Sequence, residues 1–106
     1  MANIMQMMQK AQKFKQKMQD LQDRVAQTDV GGAAAGGAVR CTLMGRTLKA
    51  IKIDPSLIKA DEADVLEDLV VAAVNDALQK ADTLMSDETQ KLMQEMGLPP
   101  GMGLPF

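Results

Sequence analysis

The chain has 106 residues, 46% of them hydrophobic and 25% charged, with a formal net charge of −2. That balance predicts one globular domain and excludes wholesale disorder. His, Trp and Tyr are absent and Cys41 stands alone, which excludes imidazole acid–base chemistry, an internal disulfide and a multi-cysteine metal centre.

No apolar run approaches the ~18 residues that span a bilayer. The segment from Met1 to Lys17 lacks the continuous apolar core of a signal peptide. The expected setting is a reduced cytosol, with no membrane, no small-molecule substrate and no cofactor or metal. Catalysis is not expected.

The net charge conceals a division. Up to Lys59 there are ten Lys and Arg against four carboxylates, whereas from Ala60 onward two lysines face ten carboxylates. Such asymmetry fits either a polyanion-facing side or a simple segregation of charge by helix.

Asn3 to Gln27 contains neither Gly nor Pro, and its apolar residues fall at Ile4, Met7, Ala11, Phe14, Met18, Leu21 and Val25. Those alternating spacings of three and four predict a long amphipathic helix. On it, Lys10, Lys13, Lys17 and Arg24 fall within an arc of roughly 60° beside the apolar face, with Lys15 on its far edge. A parallel coiled coil would want acidic partners for these g positions, yet the e positions hold Met8, Lys15 and Gln22. The helix is therefore expected to pack on a sheet or another helix, leaving its basic stripe open.

The run from Val30 to Gly37 is glycine-rich and reads as a turn or flexible connection, preceded by a short strand near Thr28 to Gly32. It is no phosphate loop, because no Gly-Lys-Ser/Thr follows and the next element is a strand. From Ala38 to Met44, Val39, Cys41 and Leu43 alternate with Arg40, Thr42 and Met44, the period-2 pattern of a half-buried strand. Gly45 marks a turn, and Thr47 to Ile53 makes a second arm, giving a hairpin within a small antiparallel three-stranded sheet. Cys41 falls on the inward face, as an inert packed thiol rather than a nucleophile.

Asp54-Pro55-Ser56 ends the strand. A second helix is predicted from an N-cap at Asp61 to about Met96, with Glu62, Asp64, Glu67 and Asp68 in its early turns. A helix of that length would measure about 52 Å and must protrude from a small chain. Its middle, Leu69 to Val74, is apolar nearly all round, and Ala77, Leu78 and Ala81 continue that face. One small chain cannot cover it, so a second copy is expected. Leu66, Leu69, Val70, Ala73, Val74 and Ala77 are the candidate dimer contacts. Residues 1–96 thus form one domain, and 97–106, rich in Pro and Gly, a flexible tail.

Four stretches in order carry a family resemblance: the Lys- and Gln-rich run from Met8 to Met18, the glycine segment into Gly37-Ala-Val-Arg40, Ile51-Lys-Ile-Asp-Pro-Ser-Leu57, and Leu66-Glu-Asp-Leu-Val-Val-Ala-Ala-Val-Asn-Asp-Ala77. The chain resembles the YbaB/EbfC family of small bacterial nucleoid-associated proteins. Ala33 and Ala35 depart from its usual glycine segment, and the turn at Met44-Gly-Arg46 lacks its usual Asn. The resemblance implies an α-β-β-β-α chain in the α+β class, a tweezer-shaped homodimer, and binding of double-stranded DNA with little sequence preference.

The candidate phosphate contacts are Lys10, Lys13, Lys15, Lys17 and Arg24 on the first helix, with Arg40 and Arg46 on the hairpin. Lys and Arg gain affinity for DNA by releasing condensed counterions, which needs no fixed base geometry. Nothing here resembles a recognition helix, and the near lack of aromatics argues against base stacking. The competing expectation is a protein-interaction or scaffolding module using its acidic helix and apolar tail, favoured by the overall negative charge.

Overall fold

A computed structural model describes residues 3–97. Helix α1 (Asn3–Ala26) is followed by strands β1 (Asp29–Ala34), β2 (Val39–Met44) and β3 (Thr47–Ile53), then by helix α2 (Ala63–Glu95). The sheet is antiparallel in the order β1-β2-β3. The topology is the expected α-β-β-β-α, and of the tail expected at 97–106, residues 98–106 lie outside the described residues.

Two differences at element boundaries have local causes. The glycine-rich run is mostly strand: Asp29 to Ala34 pairs fully with β2, and only Ala35–Gly37 makes the turn. Asp61 does not cap α2, because Ala60–Glu62 first forms a tight turn and Glu62 takes the cap position without a side-chain cap bond. Asp61, Glu62 and Asp64 still crowd the helix start, where carboxylates complement the dipole through space.

One face of the sheet is buried by α2. Val39, Cys41 and Leu43 point inward to meet Ala73, Ala77 and Ala81. Gly32 makes this contact close: a Cβ there would lie 2.5 Å from the Ala73 carbonyl oxygen and 2.5 Å from the Ala77 nitrogen. Small residues on both sides thus bring helix backbone onto strand backbone. Asp76 adds a polar tie, accepting from the Ala33 N–H at 3.0 Å and from Lys80 at 2.9 Å.

α2 covers β1 and β2 and leaves the inner face of β3 open. The pairing of Thr42 with Ala50 and Leu43 with Leu48 leaves Lys49 unmatched, a bulge in β3. Leu48 and Ile51 remain 45% and 39% exposed. The turn into β3 needs Gly45, whose φ is +62° and whose absent Cβ would strike the Ala26 backbone at 2.8 Å.

Beyond the sheet, the far half of α2 packs antiparallel on α1. Met18 and Leu21 bury against Leu92, flanked by Phe14, Val25, Met85 and Met96. The molecule therefore has two cores, one under the sheet and one within a two-helix arm. Its radius of gyration is 19.6 Å and its extents are 73 × 22 × 18 Å, against ~13 Å for a compact chain of this length. Among the described residues no helix is long and apolar enough to cross a membrane.

Gly32→Ala should cost about 3 kcal/mol, because the helix must lift off the strand. Gly31→Ala, whose Cβ would meet nothing closer than 3.9 Å, should be neutral or gain up to ~1 kcal/mol through the unfolded state. Urea unfolding of the two variants separates them, and equal stabilities would refute the close-packing argument.

The Asp76 carboxyl is held below its ordinary pKa, first by the Ala33 N–H and then by Lys80. A carboxyl with a lowered folded pKa stabilises the fold above its unfolded value of about 3.9, and loses that effect as pH falls through the folded value. Asp76→Asn should therefore lower Tm at neutral pH, with the gap closing below roughly pH 4. A gap undiminished in acid would show that charge has no part in the tie.

Candidate nucleic-acid interface

From Phe14 to Val25 the heptad face of α1 packs on α2, whereas its first residues, Ile4 and Met7, are exposed. Lys10, Lys13, Lys15 and Lys17 are all exposed, and none makes an ion pair among the described residues. They crowd two successive turns of α1. Gly97 lies near Lys10, its absent Cβ 3.9 Å from the Lys10 Nζ, which puts the lysines beside the far end of α2.

The other expected contacts are differently engaged. Arg24 bonds Glu88 across the arm at 2.9 Å, and Lys91 approaches the same carboxylate at 3.7 Å. Arg46, at the hairpin tip, reaches Asp82 of α2 at 2.7 Å. Both arginines are about two-thirds exposed, so these pairs contribute under ~1 kcal/mol and can exchange for phosphate. Arg40 has no carboxylate partner among the described residues; its Nε donates to the Gly37 carbonyl at 3.0 Å. Lys80 and Lys91, by contrast, are each beside a carboxylate on their own helix.

The expected dimer contacts also divide. Ala73 and Ala77 are fully buried against the chain's own sheet, whereas Leu66, Leu69, Val70 and Val74 are only partly buried at the margin of that core. Ile58 and Val65 nearby are 63% and 50% exposed. The apolar surface of α2 that this chain leaves uncovered therefore lies on its flanks, and the inner face of β3 is open as well.

Cys41 is buried and its thiol donates to the Ala73 carbonyl at 3.2 Å, a packed structural role. Among the described residues no three His, Cys, Asp or Glu side chains gather as metal ligands. The cleft between the helices is lined by Lys17, Asp20, Arg24, Glu88, Lys91 and Glu95, charges of both signs with no converging catalytic set.

Lys52 went unassigned in the sequence. It stands directly opposite Arg40 across β2 and β3, and it too lacks an ion pair among the described residues. The signal for it was the three-residue step from Leu48 to Ile51, which breaks the period of two and marks the bulge.

Residues 1–96 match the YbaB/EbfC DNA-binding family. The chain belongs to that family. It is 45% identical to a nucleoid-associated protein of Brucella ovis and 44% identical to one of Brucella anthropi, each alignment covering 100% of both chains. The fold is similar to the crystal structure of an uncharacterized protein from Helicobacter pylori, with a TM-score of 0.71 at 17% identity, over 88% of this chain and 99% of that one. The family is one of DNA-binding proteins, not of enzymes.

Proposed function

We propose that this protein is a nucleoid-associated protein of the bacterial cytoplasm that binds duplex DNA as a homodimer, through Lys–phosphate and Arg–phosphate contacts with little sequence preference. The observation that carries the reading is the group Lys10, Lys13, Lys15 and Lys17: exposed cations with no carboxylate to satisfy them among the described residues. Duplex DNA presents one negative charge per ~1.7 Å of axis, and each neutralised phosphate releases counterions. Flexible lysines on a helix surface suit that task, since they track charge and read no base edge. The naming of the Brucella relatives as nucleoid-associated proteins supports the same setting.

Dimerisation is supported by the uncovered apolar surface. Leu48 and Ile51 on the inner face of β3 adjoin an edge with free backbone groups, and Val65 and Ile58 are exposed beyond them. A second copy would bury this surface, double the lysine arms and raise affinity by avidity without new chemistry. Two protruding arms on one dimer correspond to the tweezer shape that the family resemblance implies.

A scaffolding role rests on another observation, the exposure of Ile4, Met5, Met7 and Met8 at the start of α1. Adaptable methionines of this kind suit protein partners.

The quadruple variant Lys10, Lys13, Lys15 and Lys17→Gln should weaken binding equally on unrelated duplexes. Its log–log salt slope should become shallower by roughly 0.9 for each phosphate left without its lysine. Circular dichroism and light scattering must show it folded and dimeric. Wild-type affinity and slope would overturn the DNA reading of this stripe and leave the scaffolding role.

For the dimer, Ile51→Glu places a charge on a surface already open in one chain. It should yield a folded monomer by light scattering where the unaltered protein gives twice the monomer mass. A variant that remains dimeric would move the interface elsewhere.

A further inference from the structure

The geometry points to a second phosphate-binding surface, on the outer face of the sheet, built by Arg40 and Lys52 for the backbone of duplex DNA. It rests on the duplex-binding reading above and extends it beyond the helical arm. Val39, Cys41 and Leu43 face α2, so the alternate residues of β2, beginning with Arg40, face away from it. Lys52 is the register partner of Arg40, and Ala33 of β1 is the partner on its other side. The next row on this face holds Gly31, Thr42 and Ala50. Two long cations therefore stand over a floor of small side chains, a shape that lets a phosphate backbone approach.

The charge arrangement is the stronger argument. Directly opposed residues on paired strands have Cβ atoms about 5 Å apart, and like charges placed so repel and weaken the pairing. Carboxylates are near but otherwise occupied. Asp29 on the same face bonds the Nζ of Lys49 at 3.2 Å, and Asp54 accepts from the Ser56 N–H at 2.9 Å. Neither forms an ion pair with Arg40 or Lys52 among the described residues, although Asp54, whose partner is a neutral N–H, keeps its charge. The fold thus carries a local repulsion that an anion would relieve.

Arg40 is also held in place. Its Nε–H is fixed by the Gly37 carbonyl, and its terminal nitrogen lies 3.1 Å from where a Gly37 Cβ would sit. The guanidinium packs over a residue with no side chain. An arginine so positioned gives up little freedom when its remaining N–H donors meet phosphate oxygens.

This surface is well separated from the lysine stripe. The sheet seats on α2 at Ala73 to Ala81, whereas the lysine-bearing turns of α1 lie beside Leu92 and the residues after it, a separation of about 15 Å or more along the helix. The absence of aromatics on the sheet face argues for duplex backbone rather than stacked single strands.

The test compares the Arg40→Gln/Lys52→Gln double variant with the quadruple α1 variant and the unaltered protein, on two unrelated duplexes across a salt series. The double variant should bind both duplexes more weakly, with a slope shallower by roughly 1.8, about 0.9 for each cation removed. Lys52→Gln alone keeps the Arg40–Gly37 bond and removes the repulsion. It should melt at or above the unaltered Tm while its slope falls by about 0.9. A purely structural role predicts a lower Tm and an unchanged slope, which would overturn the proposal. If the α1 variant binds more weakly while the double variant keeps its slope, the sheet surface is refuted and the arm reading stands. If neither variant differs from the unaltered protein, both fall.

Discussion

The contact on which the rest of the molecule depends is the close seating of α2 on β1 at Gly32, Ala73 and Ala77. Backbone meets backbone there, because no side chain larger than a methyl intervenes. The consequence is geometric. A helix pressed onto β1 and β2 cannot also cover β3, so Leu48 and Ile51 stay open although they lie on the inward face. The same helix, anchored by its first half, is left to project its second half past the sheet, where Leu92 and Met85 find α1. One small-residue interface thereby produces both the open apolar surface of β3 and the arm that carries the lysines.

Charge is arranged around these two cores with a clear logic. Basic residues at the joints are paired: Arg24 ties α1 to α2, Arg46 ties the hairpin to α2, and Lys49 ties β3 to β1. Those on open surfaces, the four α1 lysines with Arg40 and Lys52, form no ion pair with a carboxylate among the described residues. Being exposed, the joint pairs add little stability. Their larger effect is to absorb carboxylates that would otherwise offset the free cations. Glu88 is the clearest case, flanked by Arg24 and Lys91 on the arm itself.

Much of this was legible in the sequence, for physical reasons that differ by element. The heptad of α1 and the alternation of β2 are strong periodic signals, and the resulting boundaries fall within a residue or two of those observed. The α2 middle was legible as a helix buried on more than one side, but not in how the burial divides. Only the structure shows that Ala73 and Ala77 serve the chain's own sheet while Leu69 and Val70 sit at its margin. The extent of β1 was hidden because Gly31, Gly32, Ala33 and Ala34 have poor strand propensity. Packing against α2 overrides that propensity. Lys52 was missed because a regular two-residue hairpin would set Arg40 opposite Ile51, and the bulge at Lys49 shifts the register by one. Such a shift moves every later side chain to the other face.

An acidic chain that binds DNA presents an apparent conflict, and the distribution of charge resolves it. At physiological ionic strength the screening length is about 8 Å, so a phosphate senses the nearest turn or two of helix rather than the net charge of −2. The α1 lysines occupy a stretch with no carboxylate of its own before Asp20. Many α2 carboxylates lie elsewhere: Asp61, Glu62 and Asp64 at the helix start, Asp76 and Asp82 beside the sheet. They lie further from the lysines than the screening length, given ~1.5 Å of rise per residue. Net acidity then works with local basicity. On the proposed reading, the α2 carboxylates repel DNA only where it comes close to them, and the exposed stripe holds the duplex on its own side. A chain with the same lysines and a neutral second helix would hold the same phosphates but lack that restraint on where DNA can settle.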